Sequence, residues 1–147
     1  MQEKYLYPTQ ESGRDFMNRK ITGNVVMLNL LRFKEKADYK DTPELSPSTS
    51  VTGEMAYQLY IQHTLPFLKQ TGGEILFFGK GGNFLIGPGN EIWDAVMLIR
   101  QTSVDSFITF ASHPEYLQGI GHRTAALNDS RLLPLVELEN FSINGFS

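Results

Sequence analysis

The chain contains no cysteine, which excludes a disulfide framework, a thiolate nucleophile and any Cys-ligated metal or iron–sulfur cluster. Long hydrophobic runs are missing too. No apolar stretch approaches the ~20 residues of a membrane span, and Met1-Gln2-Glu3-Lys4-Tyr5 leads into polar residues without the apolar core of a secretory signal. The expectation is a cytoplasmic protein with no membrane partner. Neither sign of charge dominates: 13 Lys and Arg against 16 Asp and Glu give a formal net charge of −3, and Lys and Arg are scattered, so there is no electrostatic footprint for nucleic acid. Only 3 histidines are present, and they show neither His-x3-His nor His-x-His spacing nor a Glu-x-x-His motif. That pattern gives no ground for a dedicated metal site, and no motif implies a cofactor. Gly79-Lys80-Gly81-Gly82 reads as a hairpin turn rather than a phosphate loop, because no helix start follows it to receive an anion. No serine stands in a nucleophile-elbow context.

What is present is enough for one core. With 147 residues, 41% of them hydrophobic, the chain can bury about 70% of its unfolded surface. We expect a single domain over 1–147: an N-terminal helical extension (1–23), a core (24–138) and a polar tail (139–147). Pro8 to Arg19 reads as a short helix capped by Thr9, and Asn24 to Phe33 as a strand that is apolar on both faces. Lys34 to Gly53 holds Pro43, Pro47 and a Ser/Thr cluster, making a loop long enough to edge a site. Glu54 to Gln70 is helical, with Thr52 as cap and a stripe of Ala56, Tyr57, Tyr60, Ile61, Thr64, Phe67 and Leu68; Pro66 predicts a kink or break. Strands follow at Glu74 to Gly79 and Ile92 to Arg100. Ser103 then starts a helix that Pro114 interrupts before a second helical stretch through Leu127, and Leu132 to Leu138 is the last strand.

This order of strand, helix, strand, strand, helix, strand is the α+β, ferredoxin-like pattern with a four-stranded antiparallel sheet. A sheet with helices on one face alternates apolar and polar residues if its other face is wet. Asn24 to Phe33 and Ile92 to Ile99 do not alternate. The second face must therefore be covered, and the same surface of a second copy about a two-fold axis is the simplest cover, which predicts a homodimer. The N-terminal helix, with few apolar residues, is a poor substitute.

Five segments carry a resemblance: Val25 to Phe33, Trp93-Asp94-Ala95-Val96, His113-Pro114-Glu115-Tyr116, His122 to Leu127, and Ser130-Arg131-Leu132-Leu133-Pro134. In that order they resemble the bacterial family catalogued as domain of unknown function 1330, of the dimeric α/β-barrel superfamily. The resemblance implies the same fold and a back-to-back dimer, but no agreed reaction. The wider superfamily includes cofactor-free monooxygenases, lactone isomerases and haem-handling enzymes. The N-terminal helix and the loop from Lys34 to Gly53 are additions to the minimal fold.

The polar residues riding on these apolar elements are the candidate site. Asn29 would polarise a ligand oxygen or serve as a structural amide. Asp94 or His122 would move a proton, with Asp94 otherwise paired to Arg123 or Arg100. Arg32, Tyr60, His63, Trp93, His113, Tyr116 and Arg123 are candidate ligand contacts. His122 and Arg123, adjacent on a helix, point about 100° apart and cannot face one spot squarely. The function expected is a small-molecule-binding dimer: a cofactor-free oxygenase or isomerase acting on a small apolar metabolite, or a non-catalytic metabolite-binding or assembly module. A haem protein is a further alternative, with Asn29, Trp93 and His113 as loose counterparts of superfamily haem ligands and contacts.

Overall fold

Strict alternation along one strand organises the molecule. In β1 (Val25–Phe33), Val25, Met27, Asn29 and Leu31 are buried, whereas Val26, Leu28, Leu30 and Arg32 are only half-buried. The computed structural model describes residues 3–138, and the expected tail at 139–147 lies outside the described residues. β1 is preceded by α1 (Gln10–Asn18) and followed by α2 (Gly53–Gln70), β2 (Glu74–Asn83), β3 (Ile92–Gln101), α3 (Val104–Ala111), α4 (Pro114–Leu117), α5 (Ile120–Ala126) and β4 (Leu127–Leu135). The strands form one antiparallel sheet in the order β2-β3-β1-β4, the ferredoxin-like arrangement.

One face of this sheet is the floor of the core. Leu31, Ala95 and Met97 pack in one core with Tyr57, Tyr60 and Leu68 of α2 and with Phe110 of α3, Tyr116 of α4 and Ala125 and Ala126 of α5. The opposite face carries Val26, Leu28 and Leu30 next to Val96 and Leu98, flanked by the exposed Phe77 and Leu133. This apolar patch is bounded by charge at both ends. Arg100 pairs with Glu74 at one end, and Arg32, Asp94, Asp129 and Arg131 occupy the other.

The N-terminal extension does not cover that patch. Phe16 of α1 meets Phe107 of α3 edge-on at 6.1 Å, and Arg19 Nη1 donates to the Pro134 carbonyl at 2.8 Å. The extension thus runs past α3 and along β4, an edge strand whose open side needs protection.

Several boundaries differ from the sequence reading. α2 continues through Pro66 without a break. β2 runs on to Asn83, so Gly79 to Gly82 belong to the strand rather than to a turn. At Gly81 an added Cβ would lie 2.3 Å from the Trp93 carbonyl oxygen, so the glycine is required by close strand approach. The second helical stretch splits into α4 and α5 at Gln118–Gly119. β4 starts at Leu127, five residues before the expected Leu132, because its polar first turns, Asn128 and Asp129, are satisfied by the N-terminal segment.

Candidate functional site

The long loop after β1 is pinned rather than loose. Lys34 N donates to Ala126 O at 2.8 Å, Asp38 N to Ala125 O at 3.0 Å and Ala37 N to Val51 O at 3.0 Å. These bonds fold residues 34–52 against α5 and leave a surface cleft of about 300 Å³ lined by Lys36, Ala37, Tyr39 and Ser46 to Val51. Tyr39, one of the lining residues, shares a 2.8 Å hydrogen bond through its hydroxyl with His122 Nδ1, and the two rings meet edge-on at 5.6 Å. Burial raises the Tyr39 pKa. Burial, and secondarily the charge of nearby His63, lowers that of His122. The pair is therefore a neutral imidazole facing a protonated phenol near pH 7. Nothing in the sequence pattern singled out Tyr39, because it lies in a loop with no periodicity.

The other two histidines are tied to α4. His63 Nε2 donates to the Glu115 carbonyl at 2.7 Å, and His113 caps α4 by accepting from Glu115 N at 3.1 Å. Both rings lie against Phe67, at 5.3 and 4.9 Å. Tyr60 and Tyr116 share a buried 2.7 Å hydroxyl bond, and burial raises the Tyr116 pKa far above the ordinary phenol range.

Asn29 and Asp94, expected to share a site, do not. Asn29 stands opposite Met97 on the helix-covered face, where its Nδ2 donates long bonds to Met27 O (3.2 Å) and Met97 O (3.5 Å). Asp94 has the opposite strand parity. Its Oδ2 accepts from Phe33 N at 2.8 Å, closing the ladder where β1 and β3 part after Leu31 and Ala95. Asp94 also pairs with neither Arg123 nor Arg100. Arg123 donates to Leu6 O at 2.7 Å and to Ser130 Oγ at 3.5 Å, and Arg100 binds Glu74. As adjacent helical residues should, His122 and Arg123 serve different partners.

A second cleft, of about 270 Å³, opens at the charged end of the outer face between Glu3, Tyr5, Arg32, Glu91, Asp129 and Arg131. Arg32 and Arg131 lie 4.8 and 5.0 Å from the Trp93 ring, whose Nε1 donates to Glu91. The buried Asp129 carboxylate accepts from Tyr5 N, Ser130 N and Arg131 Nη1 at 2.8, 2.8 and 2.7 Å. Burial pushes its pKa up, but these donors outweigh that and hold it below the usual carboxylate value. Neither cleft reaches Asn29. Asn29, Trp93 and His113, the loose haem counterparts, have separate surroundings: Asn29 bonds only to sheet carbonyls, Trp93 lies among the arginines, and His113 rests on Phe67. Among the described residues no group of three His, Asp or Glu side chains could hold a metal ion, and no helix is long and apolar enough to cross a membrane.

No protein-family model matches the sequence, and none of the curated proteins does. Solved structures do. RPA0582, a protein of unknown function from Rhodopseudomonas palustris, is 33% identical over 93% of this chain and 99% of its own, with a TM-score of 0.81. The structure of methylated RPA0582 is 32% identical over 95% of this chain and 98% of its own, with a TM-score of 0.82. The chain belongs to the family of RPA0582. A protein from Jannaschia sp. CCS1, described as a dimeric ferredoxin-like protein of unknown function, is 13% identical over 78% of this chain and all of its own (100%), with a TM-score of 0.51, a likeness of fold alone.

Proposed function

We propose that this protein is a homodimer that binds a small molecule in the loop cleft in front of Tyr39 and His122. The observation that carries the ligand reading is the 2.8 Å Tyr39–His122 bond at the wall of a cleft of about 300 Å³. A ligand proton passing to the Tyr39 oxygen, while the Tyr39 proton moves to His122 Nδ1, is general-base chemistry that needs no cofactor. It suits an isomerase, which needs only proton movement, better than an oxygenase, which also needs dioxygen. Serine and threonine line the cleft, which favours a small polar molecule over the apolar metabolite expected from sequence. The homodimer reading is supported by the bare apolar outer face of the sheet. The five resembling segments support placing the chain in the domain of unknown function 1330 family.

An assembly module without a ligand is the second reading. It is favoured by the structural bonds that absorb Asn29, Asp94, Arg123, His63 and His113. Mass spectrometry of the purified, denatured protein and a metabolite screen by thermal shift separate the two readings. Under the first, a small molecule is retained or raises the melting temperature, and Tyr39→Phe abolishes the effect while costing about 1 kcal/mol of stability. An unaltered effect in Tyr39→Phe removes the loop cleft as the site.

A further inference from the structure

The tip of the β2–β3 hairpin is Phe84-Leu85-Ile86, where Leu85 is 99% and Ile86 92% exposed. Scattered apolar residues are ordinary on a protein surface, but adjacent aliphatic side chains held out in water beside the exposed Phe84 and Ile92 form a patch. The hairpin that carries them is regular. β1 pairs with β3 through backbone only as far as Ala95, while β2 and β3 remain paired out to Asn83 and Ile92, so the tip of the hairpin projects past the last β1–β3 pair. Its root is braced: Arg32 Nε donates to Ile92 O at 2.8 Å and the Arg32 guanidinium lies over Trp93. The same two strands, through Phe77, Val96 and Leu98, form part of the bare outer face, so the arm continues that face outward.

We infer that this hairpin tip is an arm that docks on a second copy of the chain, an inference that rests on the homodimer reading above. Interface size argues for it. The outer face offers about fifteen side chains from its four strands, several of them charged, whereas a stable interface takes roughly 20–30 residues a side. Two-fold symmetry supplies the arm twice and adds apolar area to both halves of the contact. Charge argues the same way. Residues 84–90 include no charged side chain, so nothing in the tip attracts a lipid headgroup or a polyanion, and its complement is an apolar protein surface.

The test is sedimentation equilibrium of the full chain carrying Leu85→Asp and Ile86→Asp together, beside Leu28→Lys and the wild type. Because both tip side chains are almost fully exposed within the protomer, their replacement leaves the protomer fold and its circular dichroism unchanged. The dimer dissociation constant should rise about tenfold or more. An unchanged constant overturns the arm. If Leu28→Lys still dissociates the dimer in that case, the face-to-face reading survives the loss of the arm. A monomeric wild type overturns both. Wild-type binding to anionic vesicles that the tip variant loses would assign the tip to a membrane surface and overturn docking on a second copy.

Discussion

Asp129 and His122, an acid and a base, carry pH dependences of the same sign in two separate windows, because the fold lowers the pKa of both. The Asp129 carboxylate is held below its ordinary pKa by donors from Tyr5, Arg131 and Ser130, so the unfolded chain binds its proton more readily. Its contribution is complete above the unfolded value of about 4 and is lost as pH falls through the lower folded value. Asp129→Asn should cost about 2 to 3 kcal/mol at pH 7 in urea denaturation. The penalty should shrink below pH 4, and a pH-independent penalty would mean the charge is irrelevant. His122 is also lowered, by burial and by His63. Being a base, it is kept neutral by the fold, so its contribution is complete above about 6.5 and declines as pH falls toward its folded value. An NMR titration should place its midpoint below that of a His in the unfolded chain, and a midpoint at or above 6.5 would contradict the half-buried environment. Sequence reading found His122 but not its partner. A Tyr39–His122 bond spans 83 positions and depends on how a loop folds back, which no local pattern encodes. Asn29 and Asp94 each stand out in the sequence as polar residues on apolar strands, which suggests a shared site. Their strand parity, one odd and one even in the β1–β3 register, decides that they cannot meet.

Periodicity made most elements legible. The α2 stripe, the caps at Thr9, Thr52 and Ser103, and the two central strands follow from local chemistry. The errors fall where tertiary contacts decide: glycines drawn into β2 by close approach to β3, and a polar strand start at Asn128–Asp129 that the N-terminal segment satisfies. Gly53 shows the same effect at a helix start. A Cβ there would lie 2.2 Å from Lys34 O and 2.6 Å from Ala126 O, both backbone atoms of the loop clasp. Gly53→Ala should therefore cost about 3 kcal/mol by thermal or chemical denaturation, at the upper end for overpacking. Gly13, in α1 with open space around its position, is the control: Gly13→Ala should be neutral or stabilise by about 0.5–1 kcal/mol. Similar effects at both positions would mean that the loop is not clamped between α2 and α5.

At the scale of the whole molecule, the strands predicted to be apolar on both faces proved to have one face under helices and one bare. That imbalance was visible in the sequence because alternation is a property of single strands. The hairpin arm was not, because the exposure of Leu85 and Ile86 depends on where β1 stops. An apolar centre with charged rims at both ends has the anatomy of a protein interface. The described chain is thus proposed as half of a two-fold unit, and the decisive measurement is sedimentation velocity of the wild-type 16.6 kDa chain at low micromolar concentration. A single species at twice the chain mass, converted to chain mass by Leu28→Lys, is expected; a folded wild-type species at the mass of one chain would refute the two-fold unit.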